Sequence, residues 1–106
     1  KPKTFKKPRK MPDFSEIISE KLTHPIVDLC KLFAEEKAFE EYSFFSGILS
    51  MLVDPSDEPA ILAATIELSK CAFLGFVYSQ EAQVRIDRIL EDAIDIAHTM
   101  SASDLN

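Results

Sequence analysis

Two histidines, two cysteines and eighteen carboxylates are the groups in this 106-residue chain that could carry chemistry. Asp95 and His98 stand three apart, the spacing at which a carboxylate and an imidazole on one helix reach a shared metal in di-iron bundles. Such a centre also takes a second carboxylate–histidine pair and further inward carboxylates. The other histidine, His24, has Glu20 four residues before it and Pro25 directly after, which breaks the required register. On a helical wheel His98 shares its face with Asp87, Glu91 and Asp95, so the pattern describes a solvated histidine near a helix C-terminus. No metal and no cofactor is expected. Serines are plentiful, but there is no G-x-S-x-G, no Cys–His arrangement and no Gly-rich phosphate loop. The two glycines, Gly47 and Gly75, both fall in apolar helical stretches. No catalytic residue stands out, and the expectation is a protein that is not an enzyme.

Cys30 and Cys71 are 41 positions apart on apolar faces, which suits reduced core thiols in an intracellular, cytoplasmic or nuclear protein. The acidic run Glu35, Glu36, Glu40 and Glu41 reads as a solvated helix surface.

Charge is unevenly distributed. Residues 1–10 hold six Lys/Arg and no acid, hence +6, while residues 11–106 hold six Lys/Arg against eighteen Asp/Glu, hence −12. With Pro2, Pro8 and one aromatic, Phe5, the first ten residues cannot bury a core of their own and read as an extended arm. Lys3, Lys6, Lys7, Arg9 and Lys10 are its candidate contacts to nucleic acid or to an import receptor, since clustered cations release counterions from phosphates. No apolar stretch of the kind that follows the basic start of a signal peptide comes after them.

The elements that would position these groups are helical throughout. Asp13 and Glu16 resemble a capping box ahead of Phe14, Ile17, Ile18 and Leu22, with Pro25 expected to end that short helix. Ile26, Leu29, Cys30 and Phe33 follow the i, i+3, i+4, i+7 pattern. The stripe then slips in phase to Tyr42, Phe45, Ile48, Leu49 and Leu52, which predicts a break near residues 38–43. Asp54-Pro55-Ser56-Asp57-Glu58-Pro59 is the clearest loop.

Residues 57–78 are apolar nearly all round, which marks the buried centre of a bundle. Leu62, Ile66, Phe73 and Val77 are expected to be its core wall. Ala60, Ala64, Cys71 and Gly75 make a strip of small residues beside it. Glu67 and Lys70 sit mid-segment, and no run reaches the ~18 to 20 apolar residues of a membrane span. From Ser79 a last helix presents Ala82, Ile86, Ile89, Leu90, Ala93, Ile96, Ala97 and Met100 within a ~120° stripe. The stretch LSMLVDPSDEPAILAATIEL resembles the turn of a HEAT-type repeat over about twenty residues. It lacks a basic residue early in the second helix and has no second copy at a fixed period, and no family assignment follows.

The resulting expectation is an all-α fold, a compact antiparallel bundle of about five helices with an extended basic N-terminal arm. Residues 1–12 are the arm, 13–100 the bundle and 101–106 a frayed tail. Its function is read as that of a non-enzymatic helical protein–protein interaction module, an adaptor that self-associates or docks on a larger partner. The alternative is a nucleic-acid-associated or nuclear-targeted protein using residues 1–10; no membrane partner is expected. Tyr42, Phe44 and Phe45 place three aromatics in four residues, more than one core seam accepts. Phe39, Tyr42, Phe44, Phe45 and Ile48 are therefore the candidate protein interface.

Overall fold

The computed structural model describes residues 14–105, and every regular element in them is helical. The expected arm, with Lys3, Lys6, Lys7, Arg9 and Lys10, and the Asp13 cap lie outside the described residues. Helix α1 (Phe14–Ile18) passes through a π-helical turn (Ser19–Thr23) directly into α2 (His24–Glu36). Pro25 thus does not end the first helix. Proline removes one N–H and crowds the carbonyl four residues back, but the π-turn, closed by the His24 N–H on the Ser19 carbonyl, widens the chain just ahead of the ring. Insertions of this kind let a rod continue past such a residue.

The break between the second and third stripes is real and falls at Lys37 and Ala38, the edge of the expected interval. Lys37 takes a left-handed conformation, φ 61°. Its N–H bonds the Ala34 carbonyl at 3.2 Å while the Ala38 N–H bonds the Phe33 carbonyl at 2.8 Å, the paired bonds of a Schellman stop. Helix α3 (Phe39–Met51) then folds back on α2, bringing Phe33 and Phe45 to 5.5 Å between ring centres. The loop after it is organised by two aspartates. Asp54 accepts from the Ser56 N–H and hydroxyl at 3.0 and 2.6 Å, which holds its carboxyl below the ordinary range. Asp57 caps α4 (Glu58–Ser69) by accepting the Ala60 N–H at 3.2 Å.

Helix α4 stops at Ser69, well short of the expected Tyr78. A single 3₁₀ turn (Cys71–Phe73) and an irregular stretch follow, with Gly75 at φ 81°. The positive φ suits glycine, and the aromatic and β-branched residues around it are weak helix formers. Helix α5 (Gln80–Leu105) is capped by the Ser79 hydroxyl, which accepts the Ala82 N–H at 3.2 Å and donates to Glu36 at 2.6 Å.

Four rods result among the described residues rather than about five helices, because α1, the π-turn and α2 are one continuous rod. Helix α2 packs on α3, α3 on α4, α4 on α5, and α5 returns against α2 and the π-turn, closing the ring. The core runs along rod one as Ile18, Leu22, Ile26, Leu29 and Phe33. Phe45, Ile48 and Leu52 join it from α3, Ile61, Ala64 and Leu68 from α4, and Ala82, Ile86, Ile89, Ala93, Ile96 and Met100 from α5. These six α5 residues belong to the stripe read from the sequence; its other two, Leu90 and Ala97, are half-buried.

The α4 phase is not the one read from the sequence. Leu62 and Ile66 are 39% and 53% exposed, and Phe73 and Val77 are 86% and 89% exposed, so the expected core wall faces outward. With apolar residues on every side, α4 has no wet face to fix which side turns inward. The Ile61–Ala64–Leu68 side won. For Phe73 and Val77 the helical register had already ended.

Candidate interaction surface

Helices α4 and α5 meet along buried small residues and diverge above them. Thr65 and Ala93, both buried, form the floor of a groove of about 400 Å³, with Ser69 and Ala97 beside them. Leu62 and Ile66 rise on one side, Leu90 and Ile94 on the other. Wall and floor residues together fall at i, i+3, i+4 and i+7 on each helix, so each helix presents about 10 Å of its length, roughly two turns. The Thr65 hydroxyl is turned away from any ligand role by donating to its own helix at the Leu62 carbonyl, 2.8 Å. The floor is therefore chemically quiet. What the groove offers is shape and apolar surface.

Its two edges differ in charge. Asp87, Glu91 and His98 follow the same line of α5 as Ile94, at spacings of four, three and four residues. The arginines of α5 are engaged elsewhere, Arg85 with Glu81 at 3.2 Å and Arg88 with Asp92 at 3.8 Å. Asp87 accepts only a neutral amide, Gln83, at 3.0 Å. Among the described residues neither Asp87 nor Glu91 has a cation partner. On α4 the corresponding edge is the Lys70–Glu67 pair, 2.8 Å apart, which cancels. The groove is apolar with one acidic edge and one neutral edge.

A second apolar feature adjoins the end of α4. Five aromatics form a closed ring: Phe33–Phe45 at 5.5 Å, Phe45–Phe44 at 5.0 Å, Phe44–Phe76 at 6.0 Å, Phe76–Tyr78 at 6.0 Å and Tyr78–Phe33 at 6.1 Å. These separations are those of favourable tilted and edge-to-face pairs. The Tyr78 hydroxyl donates to the Cys71 carbonyl at 3.0 Å. Burial, with the nearby Cys71 and Glu41 charges, pushes the phenol above its ordinary value. The stretch between Cys71 and Tyr78 is thus pinned at both ends, and Phe73, Leu74 and Val77 are held out in solvent.

The five residues expected to form the interface separate. Phe45 and Ile48 are core at 0% and 2% exposure and cannot meet a partner; Phe44 is partly buried in the aromatic ring. Phe39 and Tyr42 remain exposed. Positions 44 and 45 both find apolar cover because the stretch from Cys71 to Tyr78 folds over Phe44. Leu62 and Ile66, expected in the core, are exposed instead, and Ile94 belongs to no stripe read from the sequence. The available signal was the surplus of apolar positions around α4.

Cys30 and Cys71 are separate free thiols inside the core, raised by burial, with Ser46 and Tyr78 respectively opposing the shift. Asp95 and His98 are exposed, and among the described residues no three His, Cys, Asp or Glu side chains group to hold a metal ion. No described helix is long and apolar enough to cross a membrane. Compared with known proteins, the chain matches no family model, no curated protein and no solved structure.

Proposed function

We propose that this chain is a non-enzymatic protein–protein interaction module whose working face is the α4–α5 groove. One observation carries the reading. Leu62, Ile66 and Ile94 line a groove between well-packed helices while keeping 39%, 53% and 55% of their surface open. Folded chains rarely leave several bulky apolar residues together in solvent unless another surface covers them. The groove is floored by small residues, which lets a partner approach closely, and its walls belong to helices anchored in the core. Pre-ordered walls of this kind lose little entropy on binding.

A photo-crosslinking residue placed at Ile66 in the cells that make the protein tests this. Discrete adducts are expected from position 66, and they should vanish when Ile94→Asp is added on the facing wall. The same label at exposed Asp28 should give none. Adducts of equal intensity from both positions, or none from position 66, would refute the reading.

A further inference from the structure

Resting on that reading, we propose that the occupant of the α4–α5 groove is an amphipathic helix of a partner protein, apolar along one stripe and Lys/Arg-rich along the edge that meets α5. Shape argues for a helix. The lining spans about two turns of each helix, bulky at Leu62, Ile66, Leu90 and Ile94 over a floor of Thr65, Ser69, Ala93 and Ala97, and accepts the ridge of a third helix. Such a ridge brings apolar anchors at i, i+3 or i+4, and i+7, matching the spacing of the lining residues on each helix.

Charge argues for its edge. Among the described residues Asp87 and Glu91 flank the Ile94 wall without a cation partner, while the α4 edge is neutralised by Lys70 and Glu67. A basic residue on the α5 side gains a partner there, and an acidic one meets two like charges. The same asymmetry disfavours the competing occupants. A second copy would bring another body of −12 (residues 11–106) against this one. An anionic lipid surface or a nucleic acid would meet the acidic edge. The chain's own residues 1–10 are basic but have one large apolar residue, Phe5, and two prolines, so they cannot supply a helical stripe of anchors.

Synthetic fluorescent peptides of about four helical turns, with leucines on one stripe and either lysine or glutamate along the flanks, can be titrated into the full chain by anisotropy. The lysine-edged peptide should bind about tenfold tighter than the glutamate-edged one at low ionic strength, the ratio shrinking as salt is added. Ile66→Asp should abolish binding. Asp87→Lys with Glu91→Lys, two exposed positions that leave the core alone, should invert the preference.

Equal binding of the two peptides would overturn the proposal, as would lysine-peptide binding that survives Ile66→Asp. So would sedimentation of the chain as a dimer that Ile66→Asp dissolves, because a second copy would then fill the groove. If neither peptide binds while crosslinks from position 66 persist, the helix proposal fails and the interaction reading stands. If the crosslinks are absent as well, both fail.

Discussion

Ile61 and Ile66 are the same residue type on the same helix, and the structure assigns them opposite fates: Ile61 is fully buried and Ile66 is 53% exposed. Converting each to alanine is therefore a direct measurement of which way α4 faces. Ile61→Ala removes three carbons from the core. At about 0.8 kcal/mol per buried methylene the transfer loss is about 2.4 kcal/mol, and the cavity brings the expected cost into the range of about 2–5 kcal/mol. Alanine's better helix propensity returns only a few tenths. At Ile66 about half of the transfer loss applies, no cavity forms, and the propensity gain remains, leaving a net cost of under ~1 kcal/mol. Against a total stability of about 5–15 kcal/mol for a domain this size, the first variant is conspicuous and the second is not. Urea unfolding followed by circular dichroism separates them. With a slope of about 1.5 kcal/mol per molar, a 3 kcal/mol loss moves the midpoint by about 2 M. Equal shifts, or a larger one for Ile66→Ala, would show that α4 is rotated and that the groove does not exist in solution.

Lys37 holds a left-handed conformation that a side chain resists by about 1 kcal/mol; Lys37→Gly should stabilise by up to about that amount, and a destabilisation would mean the Schellman stop is not formed. Tyr78→Phe removes the bond that closes the stretch after Cys71. Chymotrypsin should then cut at Phe73 or Leu74 several-fold faster than in the parent, while unchanged rates would show that the aromatic ring alone pins the loop. Cys30, Cys71 and Tyr78 all have folded-state pKa values above their unfolded ones, through burial first. The folded state therefore holds more protons at alkaline pH, so their contribution is complete below about pH 8.5 and declines as pH rises past the unfolded cysteine and tyrosine values. A urea midpoint that stayed flat from about pH 8 to pH 11 would contradict that burial. The alternative role of residues 1–10 predicts nucleic-acid affinity that falls steeply with salt and is lost when Lys3, Lys6, Lys7, Arg9 and Lys10 are neutralised; binding insensitive to salt would exclude phosphate contacts.

What could be read from the sequence depended on contrast between faces. Helix α5 separates charged and apolar sides strongly, and of its stripe from Ala82 to Met100 all but Leu90 and Ala97, which line the groove, are buried. The phase slip between Phe33 and Phe45 predicted a break near residues 38–43, because a straight helix cannot carry two stripes on one side, and the turn falls at its edge, at Lys37 and Ala38. Pro25 misled in the opposite sense. A proline rule is local, and the π-turn that defeats it here shows no signature in the residues themselves. Glycine at position 75 reads as helical from its apolar neighbours, yet its φ of 81° is a loop conformation that those neighbours fold around. The aromatic ring joins Phe33, Phe44 and Phe45 to Phe76 and Tyr78. Their separation in sequence made both the burial of Phe44 and the exposure of Phe73 invisible in advance.

Helix α4 lacks the contrast between faces that orients α5. A helix that packs on one neighbouring surface needs one apolar face, and selection for solubility keeps the other polar. Helix α4 has two: Ile61, Ala64 and Leu68 face the core, while Leu62 and Ile66 face solvent. The outward residues give the fold only the share of their surface that neighbouring helices cover, since the exposed part contributes no burial energy. A helix with no polar face is the sequence imprint of an element with surfaces on two sides to cover, one inside the bundle and one outside it. Glu67 and Lys70 fit that account. They are paired with each other at 2.8 Å, so the edge between the two apolar faces carries no net charge to oppose an incoming helix. Charged residues at positions 62 and 66, which are 39% and 53% exposed, should cost the fold less than charges at Ile61 or Leu68, which are buried. Apolar residues at both positions are what the proposed helix in the α4–α5 groove requires.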